Sequence, residues 1–204
     1  FFLMRELSVP ELLVVSCCGT TRNLPEERRI DLFNDFGKGN NVKSTKCILL
    51  GNLGVGKTSI LERLAKNTFT EIDEQKQQPI FLHYEVLLDD TSGIKLQIWD
   101  TAGQEQFGNL SPIYYRHSTC CILVFDLTNY ASFKSLEDIL SHSKKYLEQN
   151  TILCLIGTKG DLLDSIIVTK EEIDKFMVSN DIISYHKISS KTGCNIMEAF
   201  NFIG

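Results

Sequence analysis

A glycine-rich stretch, residues 51–60, carries side chains whose types and spacing could bind phosphate. In GNLGVGKTSI, Gly51, Gly56, Lys57 and Thr58 match the pattern G-x-x-x-x-G-K-[ST]. Glycines let a loop turn tightly, so that several backbone N–H groups converge on phosphate oxygens at the positive end of the following helix. In this pattern the lysine reaches the outer phosphates and the threonine hydroxyl is a ligand of Mg²⁺. The stretch therefore predicts a phosphate-binding loop.

A second motif, WDTAGQE at residues 99–105, follows a segment of strand character. Asp100 could hold Mg²⁺ through water, Gly103 could offer its N–H to a terminal phosphate, and Gln104 could position a water. A D-x-x-G pattern alone is weak evidence for a nucleotide site, because it also describes a plain turn at the end of a strand. The whole heptapeptide is more specific and favours a nucleotide site with a bound metal.

Secondary structure must position both motifs, and segments of strand and helix character alternate from residue 46 onward. The runs 120–127 and 151–157 are almost continuously apolar, as expected of strands buried on both faces of a parallel sheet. The alternation predicts an α/β fold, with a doubly wound, mainly parallel six-stranded sheet, helices on both faces and ligands at the carboxyl ends of the strands. The expected strands are 46–50, 81–90, 94–99, 120–127, 151–157 and 182–188, and the expected helices are 58–67, a segment within 131–150, 170–178 and 195–203.

Composition and charge exclude several other functions. The 204 residues suffice for one full domain with a sizeable core, plus a remainder. The net charge of −5 argues against a mainly electrostatic nucleic-acid binder, and no apolar run is long enough to span a bilayer. These features indicate a cytoplasmic protein that binds no nucleic acid. We expect the seven cysteines to be reduced core residues rather than metal ligands or disulfides: Cys17, Cys18, Cys47, Cys120, Cys121, Cys154 and Cys194.

The run KLQIWDTAGQEQF, residues 95–107, resembles the Ras superfamily of small GTPases and most of all its Rab branch. The resemblance extends over about residues 46–204 and implies a P-loop NTPase that binds GTP and GDP with Mg²⁺ and hydrolyses GTP. Its implied partners are an exchange factor, a GTPase-activating protein and effectors of vesicle trafficking. The implied location is peripheral on intracellular membranes, where the protein would be attached through a tail not present in this chain. The implied phosphate-binding residues are Gly51, Gly54, Val55, Gly56, Lys57, Thr58, Ser59 and Gly103; the metal ligands are Thr58 and Asp100; the catalytic residues are Lys57 and Gln104.

The base-recognition motif N-K-x-D of this family is similar to TKGD at residues 158–161, with threonine in place of asparagine. The Asp161 carboxylate can accept hydrogen bonds from N1–H and the 2-amino group of guanine, which adenine does not offer, while the Lys159 stem packs on the ring. The family motif S-A-K is similar to residues 189–191, whose backbone N–H groups would meet the guanine O6. For Phe69, contact with the base edge and a place in the core are equally open. The implied base-binding residues are Phe69, Thr158, Lys159, Asp161, Ser189, Ser190 and Lys191.

The first switch of the family departs from its pattern in this chain. There the family carries a threonine that binds both Mg²⁺ and the γ-phosphate, so that the loop closes only over GTP. Alignment on Phe81 puts Lys76 at this position, and residues 71–90 contain neither threonine nor serine. We expect weaker metal binding and a smaller difference between the GTP and GDP states, unless Lys76 replaces part of the missing metal charge.

Leu53, the third residue of the phosphate loop, is the second departure. The Ras branch has glycine here and most Rabs have serine or threonine, because the position faces the catalytic glutamine and an incoming arginine finger. A leucine leaves the backbone N–H groups untouched but fills that space, and an arginine finger contributes on the order of a thousandfold to rate. Since Gln104 is present, we expect an atypical GTPase with slow turnover. The alternative is a non-switching pseudo-GTPase that acts as an interaction scaffold.

The segment 1–43 lies outside the expected GTPase domain, residues 44–204, whose last helix is truncated. Residues 4–16 have the same spacing as residues 177–189, in each case a helix end, a turn and an apolar strand that runs into a serine. This similarity predicts that the segment is the C-terminal end of a preceding GTPase-like domain, which would make the protein a tandem. The alternative is an unrelated amphipathic extension that packs on the domain.

Overall fold

The computed structural model of the chain describes residues 42–70, 81–87, 93–101 and 110–204. Six strands form one sheet in the order β2-β3-β1-β4-β5-β6. All neighbouring strands are parallel except β2 and β3, which are antiparallel. This arrangement confirms the predicted doubly wound α/β fold. The strands are β1 Val42–Leu50, β2 Phe81–Leu87, β3 Gly93–Asp100, β4 Cys120–Asp126, β5 Ile152–Thr158 and β6 Ser184–Lys187.

Six helices accompany the sheet among the described residues, together with one short 3₁₀ turn at Leu163–Ser165. They lie on both faces, since side chains of α2 to α5 pack in one core cluster and side chains of α1 and α6 pack in the other. No helix in the described parts of the chain is long and apolar enough to cross a membrane. The helices are α1 Lys57–Lys66, α2 Pro112–Tyr115, α3 Tyr130–Lys134, α4 Leu136–Ser143, α5 Lys170–Asn180 and α6 Ile196–Ile203.

Strand β4 shows why the central strands have continuous apolar sequences. All seven of its residues are buried, because alternate side chains enter the clusters on opposite faces of the sheet. Cys47, Cys120, Cys121 and Cys154 are buried in this core, as predicted, whereas Cys194 is only half-buried, in the loop after β6. Cys17 and Cys18 lie outside the described residues. On one face β4 contributes Cys121, Leu123 and Phe125, and on the other it contributes Cys120, Ile122 and Val124.

The helical segment expected within 131–150 is divided into two helices at Ser135. The Ser135 hydroxyl donates to the carbonyl of Ser132 at 2.9 Å, and the buried Ser143 hydroxyl donates to the carbonyl of Ile139 at 2.6 Å. Serine hydroxyls that bond backbone carbonyls one turn earlier compete with the helical hydrogen bonds and bend or end helices. Strand β1 also begins earlier than expected, at Val42 instead of residue 46.

Helix α5 begins with a capping box. The Thr169 hydroxyl accepts from the backbone N–H of Glu172 at 3.3 Å, and the Glu172 carboxylate accepts from the backbone N–H of Thr169 at 3.0 Å. Hydrogen bonds from the Thr169 backbone and from the hydroxyls of Tyr130 and Thr169 lower the pKa of Glu172. The cap therefore satisfies backbone donors that the first turn of a helix leaves without intrahelical acceptors.

Replacement of Thr169 by alanine removes this cap and should lower the Tm by about 2–4 °C, because an N-cap residue stabilises its helix measurably. Thermal unfolding followed by circular dichroism provides the measurement. Thr169→Ser retains the hydroxyl and should unfold within about 1 °C of the natural chain. Equal losses for the alanine and serine variants would show that the hydroxyl is not what stabilises the helix.

Candidate functional site

The register of the parallel strands brings several polar residues to one edge of the sheet. Asp100 at the end of β3 is paired with Leu49 near the end of β1. Asp126 and Thr158, the last residues of β4 and β5, are paired with each other. Because the carboxyl ends of parallel strands share one edge, these polar residues lie near the loop that connects β1 to α1.

The phosphate loop requires glycine at three positions for two different reasons. A Cβ at Gly51 would lie 2.0 Å from the carbonyl oxygen of Val124, so that only glycine permits the close approach of the loop to β4. Gly54 and Gly56 have φ values of 78° and 98°, in the left-handed region that other residues rarely adopt. Val55, between them, buries its side chain in the core. Val55 therefore anchors the loop in the core, while the backbone at Gly54 is open, since a Cβ there would meet nothing within 4 Å.

Lys57 begins helix α1 and is only 4% exposed. Its ammonium group donates to the carbonyl of Gly51 and, at 3.0 Å, to that of Asn52. The positive charge thus lies within the curve of the loop, beside the first turn of α1, whose N–H groups have no intrahelical acceptors. Ser59 is half-buried in the same turn. A buried cation and a helix N-terminus in one glycine loop fit a phosphate group.

Thr58 and Asp100 meet beside this loop. The Thr58 hydroxyl donates to Oδ2 of Asp100 at 2.5 Å, and Asp100 is fully buried. The strand end is fixed by the adjacent Thr101, whose hydroxyl donates to the carbonyl of Leu49 at 2.9 Å. A hydroxyl and a carboxylate are the hard oxygen donors that Mg²⁺ takes, usually together with phosphate oxygens and water. The two predicted metal ligands are therefore in contact and fit that ion.

Thr158 joins the phosphate loop to the sheet, although it replaces the asparagine of the family motif. Its hydroxyl lies 2.6 Å from the carbonyl oxygen of Val55 and 3.0 Å from that of Phe125, and its single proton can be donated to either. A Cβ at Gly56 would come within 3.9 Å of the same side chain. The threonine thus contacts the loop directly.

Lys159 and Asp126 form an ion pair that the sequence analysis missed. The ammonium group of Lys159 lies 2.6 Å from Oδ2 of Asp126, whose side chain is 6% exposed. The other oxygen, Oδ1, accepts from the backbone N–H and the hydroxyl of Thr128 at 2.8 and 2.7 Å. Lys159 itself has φ 57°, in the left-handed region. The signal in the sequence was a carboxylate directly after the apolar run 120–125, in the place that Asp100 occupies at the end of β3.

Asp161 is oriented by the loop after β6. The Ser189 hydroxyl donates to its Oδ1 at 2.6 Å, and the backbone N–H of Gly160 donates to the carbonyl of Ile188 at 2.9 Å. These two contacts join the loops that follow β5 and β6. Two of the predicted base-binding segments are therefore adjacent in the fold.

The remaining base-site residues differ in their surroundings. The Ser190 hydroxyl is buried without a hydrogen-bond partner among the described residues, whereas Lys191 is exposed. Phe69 is half-buried and is not among the side chains that the described core clusters contain. Leu53 is 51% exposed, away from the core. The predicted residues Gly103 and Gln104, and Lys76 of the switch, lie outside the described residues.

A glycine loop after the first strand, with a buried lysine and a threonine–aspartate pair, defines a phosphate-loop nucleotide-binding domain. The Ras family model matches residues 46–204. Among similar proteins are RABF2b and RABF2a of Arabidopsis thaliana, 36% and 35% identical over 162 residues, and Rab5A of Oryza sativa subsp. japonica, 34% identical over 165 residues. The matches cover 79%, 79% and 81% of this chain and 80% of each relative. The chain belongs to the Ras family and is a Rab-like small GTPase.

Removal of the Thr158 hydroxyl tests its contact with the phosphate loop. We expect Thr158→Val to release bound GDP about tenfold faster, because a lost buried hydrogen bond costs about 1.4 kcal/mol. Dissociation of fluorescent GDP measures the effect, with Thr158→Ser as a control that keeps the hydroxyl. An unchanged rate for Thr158→Val would mean that the hydroxyl does not support the loop that binds nucleotide.

Proposed function

We propose that this chain is an atypical Rab-like GTPase that binds GTP and GDP with Mg²⁺, hydrolyses GTP slowly and acts in vesicle trafficking. The observation that carries the proposal is the Asp161 carboxylate, which Ser189 holds at 2.6 Å beside the loops that end β5 and β6. A fixed carboxylate can accept from both N1–H and the 2-amino group of guanine, and adenine lacks this pair of donors. The same edge of the sheet carries the phosphate loop, so both ends of a guanine nucleotide have complementary groups.

The proposed roles follow from the contacts of the described residues together with the family resemblance, which alone supports the roles of Gly103 and Gln104. Lys57 balances phosphate charge, and the N–H groups of Gly54, Val55, Gly56, Lys57, Thr58 and Ser59 surround the phosphates. Thr58 and Asp100 hold the metal, which supplies charge neutralisation on the β- and γ-phosphates when bound. Gln104 orients the attacking water, and Gly103 offers its N–H to the γ-phosphate. The base is held by Phe69, Thr158, Lys159, Asp161, Ser189, Ser190 and Lys191.

Slow hydrolysis is proposed because of two substitutions that leave the contacts of the glycine-rich phosphate loop itself intact. Leu53 is half exposed, so its side chain extends outward from the loop instead of packing in the core. An apolar side chain on the exposed side of the phosphate loop would obstruct the approach of both Gln104 and an arginine supplied by a GTPase-activating protein. Lys76 stands where the family has its switch threonine, so the metal would have one ligand fewer in the GTP state.

A second candidate is a non-switching scaffold, which the absence of any threonine or serine in residues 71–90 favours. Nucleotide content distinguishes the two. The GTPase proposal expects about one guanine nucleotide per chain after purification in Mg²⁺, and measurable release of phosphate from radiolabelled GTP. A chain that purifies without guanine nucleotide and binds neither added GTP nor GDP would leave only the scaffold.

We further propose that residues 1–43 are the end of a preceding GTPase-like domain, so that this domain is part of a tandem. The matched spacing of residues 4–16 and 177–189 supports the proposal. An exchange factor, a GTPase-activating protein and effectors are the expected partners, by analogy with the Rab-like relatives. The expected location is cytoplasmic and peripheral on intracellular membranes.

Asp161→Asn tests base recognition. An amide can donate to the 2-oxo group of xanthine, but it has one acceptor oxygen where the carboxylate presents two to the neighbouring guanine donors. We expect affinity for GDP to fall at least about a hundredfold, since each charge-assisted hydrogen bond contributes roughly 1.5–3 kcal/mol, while affinity for XDP rises. Competition titration with both nucleotides gives the ratio. An unaltered preference for GDP would remove Asp161 from the base site.

Leu53→Gly and Leu53→Ser test the steric account of slow turnover. Either variant should raise the single-turnover rate of GTP hydrolysis, on the order of tenfold or about 1.4 kcal/mol in activation free energy. The affinity for GDP should stay within about twofold, because the N–H groups of the loop are unchanged. Leu53→Met keeps the bulk and should hydrolyse GTP at the natural rate. Rates that are the same in all variants would contradict the account.

A further inference from the structure

Arg63 on helix α1 reaches across to the loop that follows β6. Its Nε donates to the carbonyl of Ser190 at 2.8 Å, and its Nη2 donates to the carbonyl of Lys191 at 2.6 Å. Its Nη1 donates to the carbonyl of Asn67, the C-cap residue of its own helix, at 2.8 Å. One guanidinium therefore holds two consecutive carbonyls of the candidate base loop and is itself fixed to the helix that begins in the phosphate loop.

The carbonyls that Arg63 holds determine where the neighbouring N–H groups point. The carbonyl of Ser190 and the N–H of Lys191 belong to the same planar trans peptide, in which they point in opposite directions. A guanidinium on that carbonyl therefore directs the N–H of Lys191 away from Arg63. The bond is charge-assisted, because arginine is always protonated, and it polarises the peptide so that its N–H becomes a stronger donor.

The next peptide is fixed from both sides. Its carbonyl, from Lys191, accepts from Arg63, and its N–H, from Thr192, donates to the Ser189 hydroxyl at 3.1 Å. Ser189 in turn holds Asp161 directly, whereas Arg63 is linked to that carboxylate only through the Lys191–Thr192 peptide and Ser189. Arg63 thus acts first on the N–H of Lys191, and Ser189 acts first on the Asp161 carboxylate.

We propose that Arg63 is a positioning residue for guanine: it sets the N–H of Lys191 as a donor to the base oxygen O6 without touching the base. The inference rests on the proposed function, because it takes residues 189–191 as the loop that meets O6. It separates the two halves of base recognition. Arg63 supports recognition of O6, and Ser189 supports recognition of the 2-amino group through Asp161.

Three nucleotides report on these two halves in the full chain. GDP carries both groups, IDP lacks the 2-amino group, and 6-thio-GDP has sulfur, a poorer acceptor, in place of O6. The variant Arg63→Met removes every donor but keeps an unbranched apolar stem. Lys66→Met is the matched control, since Lys66 is an exposed cation in the last turn of the same helix. Affinities come from competition against fluorescent GDP.

We expect Arg63→Met to weaken GDP binding about tenfold and 6-thio-GDP binding less, so that the preference for GDP over 6-thio-GDP falls at least about threefold. The preference for GDP over IDP should stay within about twofold, and Lys66→Met should change neither ratio. Equal weakening of all three nucleotides would overturn the inference, because it would make Arg63 a general brace between helix and loop. An unchanged affinity for GDP would also overturn it.

Arg63→Lys keeps the charge but can reach fewer carbonyls, so it should retain more of the preference for GDP over 6-thio-GDP than Arg63→Met. If Arg63→Met does not fold by circular dichroism, the same ratios are measured on Arg63→Lys, where a fall in the 6-thio-GDP ratio alone supports the inference and parallel losses contradict it. Failure of the proposed function is seen separately, as a natural chain that binds no GDP.

Discussion

The burial of the central strands on both faces is the constraint on which the site depends. Because the side chains of β4 from Cys120 to Phe125 all enter one of two core clusters, this part of the strand has no face on which a polar group can meet solvent. Polar residues are left to the strand ends, and the parallel register puts those ends at the same edge. Asp100, Asp126 and Thr158 therefore stand around the loop after β1, and the chemistry of the site is a consequence of how the core is filled.

Strong local signals explain what could be predicted from the sequence. The apolar runs at 120–127 and 151–157 are those expected of buried strands, and the glycine spacing at 51–56 predicts the phosphate loop before any contact is known. The division of one helix at Ser135 was missed, because apolar periodicity continues through it while the hydroxyl bonds that interrupt it are local and polar. The contacts of Arg63 could not be predicted either. Its partners Ser190 and Lys191 are 127 and 128 residues away along the chain, and only the folded domain brings them together.

Thr158 shows that contact with the phosphate loop can be made by a threonine in place of the larger asparagine of the family motif. Asparagine offers an amide with two donors, whereas threonine offers one hydroxyl proton. The hydroxyl nevertheless lies within hydrogen-bond distance of the carbonyls of Val55 and Phe125, because β5 ends directly beneath the loop. The ammonium group of Lys159 is held by Asp126 at the end of the next strand, which leaves the lysine stem to pack on a base. The substitution is thus compatible with nucleotide binding.

Binding and turnover rest on different parts of this site, and this separation makes a slow GTPase physically coherent. In the proposed function, phosphate recognition would use backbone N–H groups and the buried Lys57, and base recognition would use Asp161 and peptide groups that Ser189 and Arg63 hold. None of these groups depends on the side chain of Leu53, which is half exposed on the outer side of the loop. A leucine there narrows the space through which a water-positioning group must approach the γ-phosphate. It leaves the N–H groups of the phosphate loop unchanged. The same sequence can therefore retain tight binding while it loses rate, since only interactions made in the transition state accelerate the chemical step.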